Sequence, residues 1–140
     1  MNAQEELQER VTEGLRQAGA RFAFVHGSRT GEMTPDRDSQ RDLAQVDLSE
    51  RDLDVGAWWG TEHPPAAWDV VLPDGVDLLV LDDASLELAG RVALTGGLLF
   101  DDDPPARVRW QAQTRLIYLD EEFRQRELDR LYLSAHAHGR

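Results

Sequence analysis

The chain has 140 residues, 41% of them hydrophobic and 30% charged, enough for one domain with its own core. It has no cysteine, which excludes disulfides, zinc–thiolate centres and a cysteine nucleophile; all 15 basic residues are Arg, which excludes a catalytic Lys and the Lys-bearing phosphate loop. A formal net charge of −12 argues against nucleic acid as a direct partner and suits a protein with a basic surface.

Residues 4–18 predict a helix, because Leu7, Val11, Leu15 and Ala18 recur at helical spacing. Gly19 supplies a stop signal. Phe22 to His26 predict a first strand that ends in Gly27-Ser28. A short helix is expected from Ser28 or Thr30 to a point before Pro35. Residues 35–50 read as a polar loop insertion, in which Leu43 and Val46 suffice for one weak helical turn. A second strand over 52–59 opens with the alternation Asp52-Leu53-Asp54-Val55, and Trp58 and Trp59 are expected to close the sheet edge. Residues 60–75 form a Pro-rich connection with a short helical turn at 66–71.

A third strand over 76–82 carries Asp77 near its start. Asp82 and Asp83 are expected to cap a helix over 84–94, where negative charge is favourable. A turn and a short strand over 98–100 follow. Asp101 to Asp103 are expected to cap a long helix over 105–133, either continuous or bent near Asp120. Residues 134–140 are expected to be a disordered tail. No signal-peptide pattern and no long apolar run occurs, so the expectation is a soluble, cytoplasmic protein with no membrane contact.

Side chains alternate along a strand, so Asp52 and Asp54 point to one side and Leu53 and Val55 to the other. Two carboxylates about 7 Å apart on one face repel unless a cation sits between them. Mg²⁺ is a hard cation that takes oxygen ligands and keeps room for water and phosphates. Asp77 on a neighbouring strand would complete a two-metal arrangement. Gly27-Ser28 at a strand-to-helix turn presents backbone N–H groups that bind anions, and Arg29 adds charge beside them. The set reads as a site for Mg²⁺ and a nucleoside triphosphate.

The stretches FVHGSRTGE, RDLDVGAW and VDLLVLDD, with the segment from GRVALTGG to IYLDEEF, resemble nucleotidyltransferases of the polymerase-beta-like fold. More closely, they resemble the minimal nucleotidyltransferase (MNT) antitoxins of HEPN–MNT toxin–antitoxin systems. The resemblance covers most of the chain. It implies an α/β (α+β) fold: a mixed central sheet of about four strands, flanking helices and a long C-terminal helical segment, in one domain over 1–133. It implies that Asp52, Asp54 and Asp77 are the catalytic and metal-binding residues, with Gly27 and Ser28 holding the nucleotide; Arg29, beside them, is expected to join the nucleotide-binding set by its charge. It further implies Mg²⁺ as cofactor, ATP as substrate, and AMP transfer to a hydroxyl, a Tyr of a HEPN ribonuclease toxin.

One departure from the family pattern is the distance from Gly27 to Asp52, which the 35–50 insertion lengthens. Asp36 and Asp38 stand closer to Gly-Ser, but no apolar strand follows them. Two other functions stay open at this stage. One is a binding antitoxin that keeps the fold without the chemistry. The other is nucleotidyl transfer to a small molecule, for which the chain has little room beyond its C-terminal helix.

Overall fold

The structure, a computed structural model, describes residues 2–26 and 53–138. Helix α1 covers Ala3–Gln17. A capping box starts it: Asn2 Oδ1 accepts from the Glu5 amide at 2.8 Å, and the Glu5 carboxylate accepts from the Asn2 amide at 3.4 Å. Val11 and Leu15 on its apolar stripe are fully buried. Gly19, at φ 97°, takes the left-handed turn that leads into the sheet.

Four strands follow: β1 (Phe22–His26), β2 (Leu53–Trp58), β3 (Val76–Val80) and β4 (Gly97–Asp101). Their order across the sheet is β3-β2-β1-β4. β1 pairs antiparallel with both β2 and β4, and β2 pairs parallel with β3. Alternation divides the strand side chains between two faces. Ala23, Leu53, Val55, Ala57 and Val80 pack with Val11 and Leu15 of α1 on one face. Phe22 and Phe24 pack on the other with Val92, Leu81 and Trp110. Helices α2 (Leu86–Thr95) and α3 (Pro104–His138) supply Val92 and Trp110 and cover that second face.

Several local expectations change. The two tryptophans do not close an edge, because β2 lies inside the sheet and the pair straddles it. Trp58 stacks on Phe22 at 5.0 Å, whereas Trp59 is buried on the α1 face and donates its indole N–H to the Ala18 carbonyl at 3.0 Å. Asp82 does not cap α2. Its carboxylate accepts from the Trp59 and Gly60 amides at 2.9 and 2.7 Å, fastening the end of β2 to the 3-10 turn at Leu81–Asp83. The α2 cap is Ser85, whose hydroxyl accepts from the Leu88 amide. A second 3-10 turn, at Ala67–Asp69, lies inside the expected helical turn.

The acidic run before α3 is shared among three arginines. Asp101 pairs with Arg107, Asp102 with Arg16 through two 2.8 Å bonds, and Asp103 with Arg21. Asp103 also accepts from the Ala106 amide, the one capping bond of the expected set. The helix itself passes Asp120 without a break and continues through His138, into the stretch expected to be a disordered tail. No described helix is long and apolar enough to cross a membrane.

α2 and α3 meet closely at Gly90. A Cβ there would lie 2.7 Å from Tyr118 Cβ and still closer to the Tyr118 ring. Gly90→Ala is therefore expected to destabilise the fold by about 1–3 kcal/mol, the usual cost of overpacking. The helix-propensity gain of about 1 kcal/mol offsets only part of this. Urea unfolding checks the value, and Tyr118→Ala in the same background should recover stability lost to the clash.

Candidate active site

β1 reaches its end at His26, and β2 and β3 begin beside it. The register puts His26 opposite Asp54, and Asp54 opposite Asp77. Neighbouring strands lie about 4.8 Å apart, so the three side chains stand in one row across the sheet. All three belong to the face that carries Phe22, Phe24 and Trp58, as the alternation within each strand requires. The chain folds this way because Leu53, Val55, Val76 and Leu78 take the α1 face and turn the intervening carboxylates to the other.

Of the residues expected from the sequence, the structure thus brings Asp54 and Asp77 together at adjacent register positions. Asp54 is half-buried and Asp77 is exposed. Gly27, Ser28, Arg29 and Asp52 lie outside the described residues, as does the 35–50 insertion. Among the described residues no group of three His, Asp or Glu side chains forms a metal-binding cluster. Asp54 and Asp77 nonetheless fit Mg²⁺: they are hard oxygen donors on one face, and Mg²⁺ is commonly held by one or two carboxylates plus water and substrate phosphates. Arg91 of α2 is exposed and bonded to Glu87 at 3.2 Å.

His26 is the residue whose place sequence reasoning underrated. Period-two counting from Phe22 and Phe24 already puts it on the carboxylate face; what the sequence lacked was the register that sets it against Asp54. Its Nε2 is buried with no hydrogen-bond partner among the described residues. Burial pushes the imidazole below its usual value of 6.5, against the opposing pull of Asp54, the Val55 backbone and Asp77.

The depressed value makes a pH prediction. The unfolded chain binds a proton at His26 more readily than the folded one, so this group favours folding fully above the unfolded value of 6.5. That contribution is lost as pH falls from there through the lower folded value. His26→Gln should therefore flatten the dependence of the urea midpoint on pH below the unfolded value of 6.5. The Arg16–Asp102 pair does not interfere. Its hydrogen bond holds Asp102 below 3.8, so its effect is lost only at still lower pH.

No family model matches the sequence, and no curated protein sequence matches it. Solved structures do share the fold. A chain of the MntA–HepT toxin–antitoxin crystal structure superposes with a TM-score of 0.62 at 17% identity, over 91% of this chain and 98% of that one. A chain of a toxin–antitoxin structure with AMP-PNP gives 0.63 at 18% identity, over 89% and 98%. A chain from the complex of tri-AMPylated Shewanella oneidensis HEPN toxin with MNT antitoxin gives 0.62 at 19% identity, over 92% and 98%. The fold is that of these MNT-type toxin–antitoxin chains, a mixed four-stranded sheet with flanking helices and a long C-terminal helix.

Proposed function

We propose that this protein is an antitoxin-type nucleotidyltransferase that moves AMP from ATP to a hydroxyl, a Tyr, of a partner HEPN toxin and so neutralises it. The observation that carries the reading is the Asp54–Asp77 pair, set side by side on adjacent strands at the end of the sheet where β1 gives way to Gly27-Ser28. The AMP-PNP complex and the AMPylated toxin among the structural neighbours support the same chemistry.

In this reading Asp52, Asp54 and Asp77 would hold the metal ions. When bound, Mg²⁺ neutralises triphosphate charge and makes the acceptor hydroxyl easier to deprotonate. Asp77, the more exposed carboxylate, takes the proton of the acceptor hydroxyl. The acceptor oxygen bonds to the α-phosphorus as the bond to pyrophosphate breaks. Gly27, Ser28 and Arg29 hold the departing phosphates. Most of the rate enhancement comes from holding the two reactants in line and from charge stabilisation.

The test is incubation with α-labelled ATP, Mg²⁺ and the toxin co-purified from the native host. Label is expected on the toxin band and is expected to vanish with EDTA and return with added Mg²⁺. Absence of label beside a stable complex would favour the second reading, a binding antitoxin without chemistry. That alternative draws on α3, which exposes Phe123, Leu128, Leu131, Tyr132 and Leu133 along its C-terminal half.

A further inference from the structure

The sheet has a second feature, on the face away from the carboxylates. β4 is an outer strand among the described residues, paired with β1 along one side only. A register shift opposite Ala23 and Phe24 makes Leu99 the extra residue of a bulge, packed on the α1 side, while Leu98, paired with Phe24, is about half exposed on the other side. Beside Leu99 lies a groove of about 790 Å³ under α1, lined by Glu5, Glu9, Thr12, Glu13 and Arg16 among others.

The charges in this groove are not balanced among the described residues. Glu5, Glu9 and Glu13 follow one another at four-residue steps, so they form a row along one face of α1. None of them joins an ion pair among the described residues. Arg16 is already held by both oxygens of Asp102 and lies over the Phe100 ring. That contact also fixes the direction of the groove, because it ties the C-terminal end of α1 to the C-terminal end of β4.

We propose that the outer edge of β4 and the acidic groove under α1 dock an extended, basic segment of a partner protein, which adds a strand to the sheet. Unpaired backbone groups on an edge strand are a template for another strand. Alternate residues of an added strand repeat every 6.7 Å or so, close to the rise of about 6 Å between helix residues four apart. Arginines or lysines at alternate positions therefore meet the row of glutamates in turn beside Leu99, and apolar residues at the intervening positions meet Leu98 on the opposite face. The same row of glutamates turns away acidic strands. At −12, the net charge disfavours a second copy of this chain. The inference goes beyond the transfer reading and does not depend on it. A segment held here leaves the carboxylate face open to an acceptor.

The experiment uses a fluorescent ten-residue peptide of alternating Arg and Val, read by anisotropy and by amide exchange of the full chain. Binding to the wild type is expected to slow exchange across Gly97–Asp101. Glu9→Arg with Glu13→Arg should weaken binding by about tenfold or more, whereas Glu62→Arg with Asp129→Arg, an equal change in net charge elsewhere on the exposed surface, should change it by no more than about twofold. Equal weakening by both pairs would mean attraction to net charge alone and would overturn the proposal. So would unchanged exchange at β4, or no binding by the wild type. Each variant also goes through the α-labelled ATP assay, so loss of docking and loss of transfer are seen separately.

Discussion

Asp54→Asn is expected to lower AMP transfer by about 1,000-fold while leaving the fold intact. The substitution keeps the size of the side chain and removes its charge. Preorganised charge at a phosphoryl-transfer site is worth about 10²–10³ in rate per group removed, and a carboxylate that holds metal belongs at the upper end. Asp54 stands between His26 and Asp77 in the row, so its charge is the one the other two positions share. Asp77→Asn should also lose transfer, with a different signature. If Asp77 takes the proton, raising pH should partly restore the rate in Asp77→Asn and not in Asp54→Asn. Single-turnover labelling of the toxin across pH, with circular dichroism to verify folding, separates the two. Full activity in Asp54→Asn would remove the metal-holding role from this strand. A wild type that never labels its partner, yet forms the complex, would make the protein a binder.

Much of this arrangement is legible in the sequence, and the reason is local. The start of β2 alternates, so the residues that build the α1 face and the residues that turn carboxylates to the other face are read from the same few positions. The stripe at Val11 and Leu15 likewise fixes α1 and the side it buries. What stays hidden is register. Asp54 meets Asp77, and His26 meets Asp54, only because of how β1, β2 and β3 slide against one another, and no spacing within one strand reports that.

Apart from Asp103, which does cap α3, the acidic residues depart from the expected caps for a related reason. Asp82 and the run from Asp101 to Asp103 precede helices, and a carboxylate before a helix reads as a cap. Asp82 instead finds the Trp59 and Gly60 amides, 23 and 22 positions away, and Asp102 finds Arg16, 86 positions away. These partners are brought near by tertiary packing, which overrides the local preference. The length of α3 was underestimated because its later apolar residues have no core to mark them as periodic. Leu116, Phe123, Leu128 and Leu131 are all more than half exposed. Intrahelical pairs such as Arg130–Glu127 and Arg126–Glu122 support that stretch.

Phe22→Ala is expected to cost about 3–5 kcal/mol, the usual range for emptying a buried aromatic site. Phe22 is fully buried, and it is the aromatic that touches the most others. Trp58 stacks on it at 5.0 Å, Phe24 meets it edge-on at 5.8 Å, and Trp110 tilts against it at 5.7 Å. Those contacts join β1 to β2 and bring α3 onto the sheet, so one truncation loosens three elements. Against a typical total stability of about 5–15 kcal/mol, the loss should lower the melting temperature by about 10 °C or more. Phe22→Leu keeps most of the volume and should cost under about half as much. Trp58 and Trp110 fluorescence during thermal unfolding provides the check, since both rings lie against the altered site. Phe22 sits at the opposite end of β1 from His26, away from the carboxylate row. AMP transfer per folded molecule should therefore survive Phe22→Ala at low temperature. Thermal stability and activity would then fall separately: stability with the aromatic cluster at one end of the strand, chemistry with Asp54 and Asp77 beside the other.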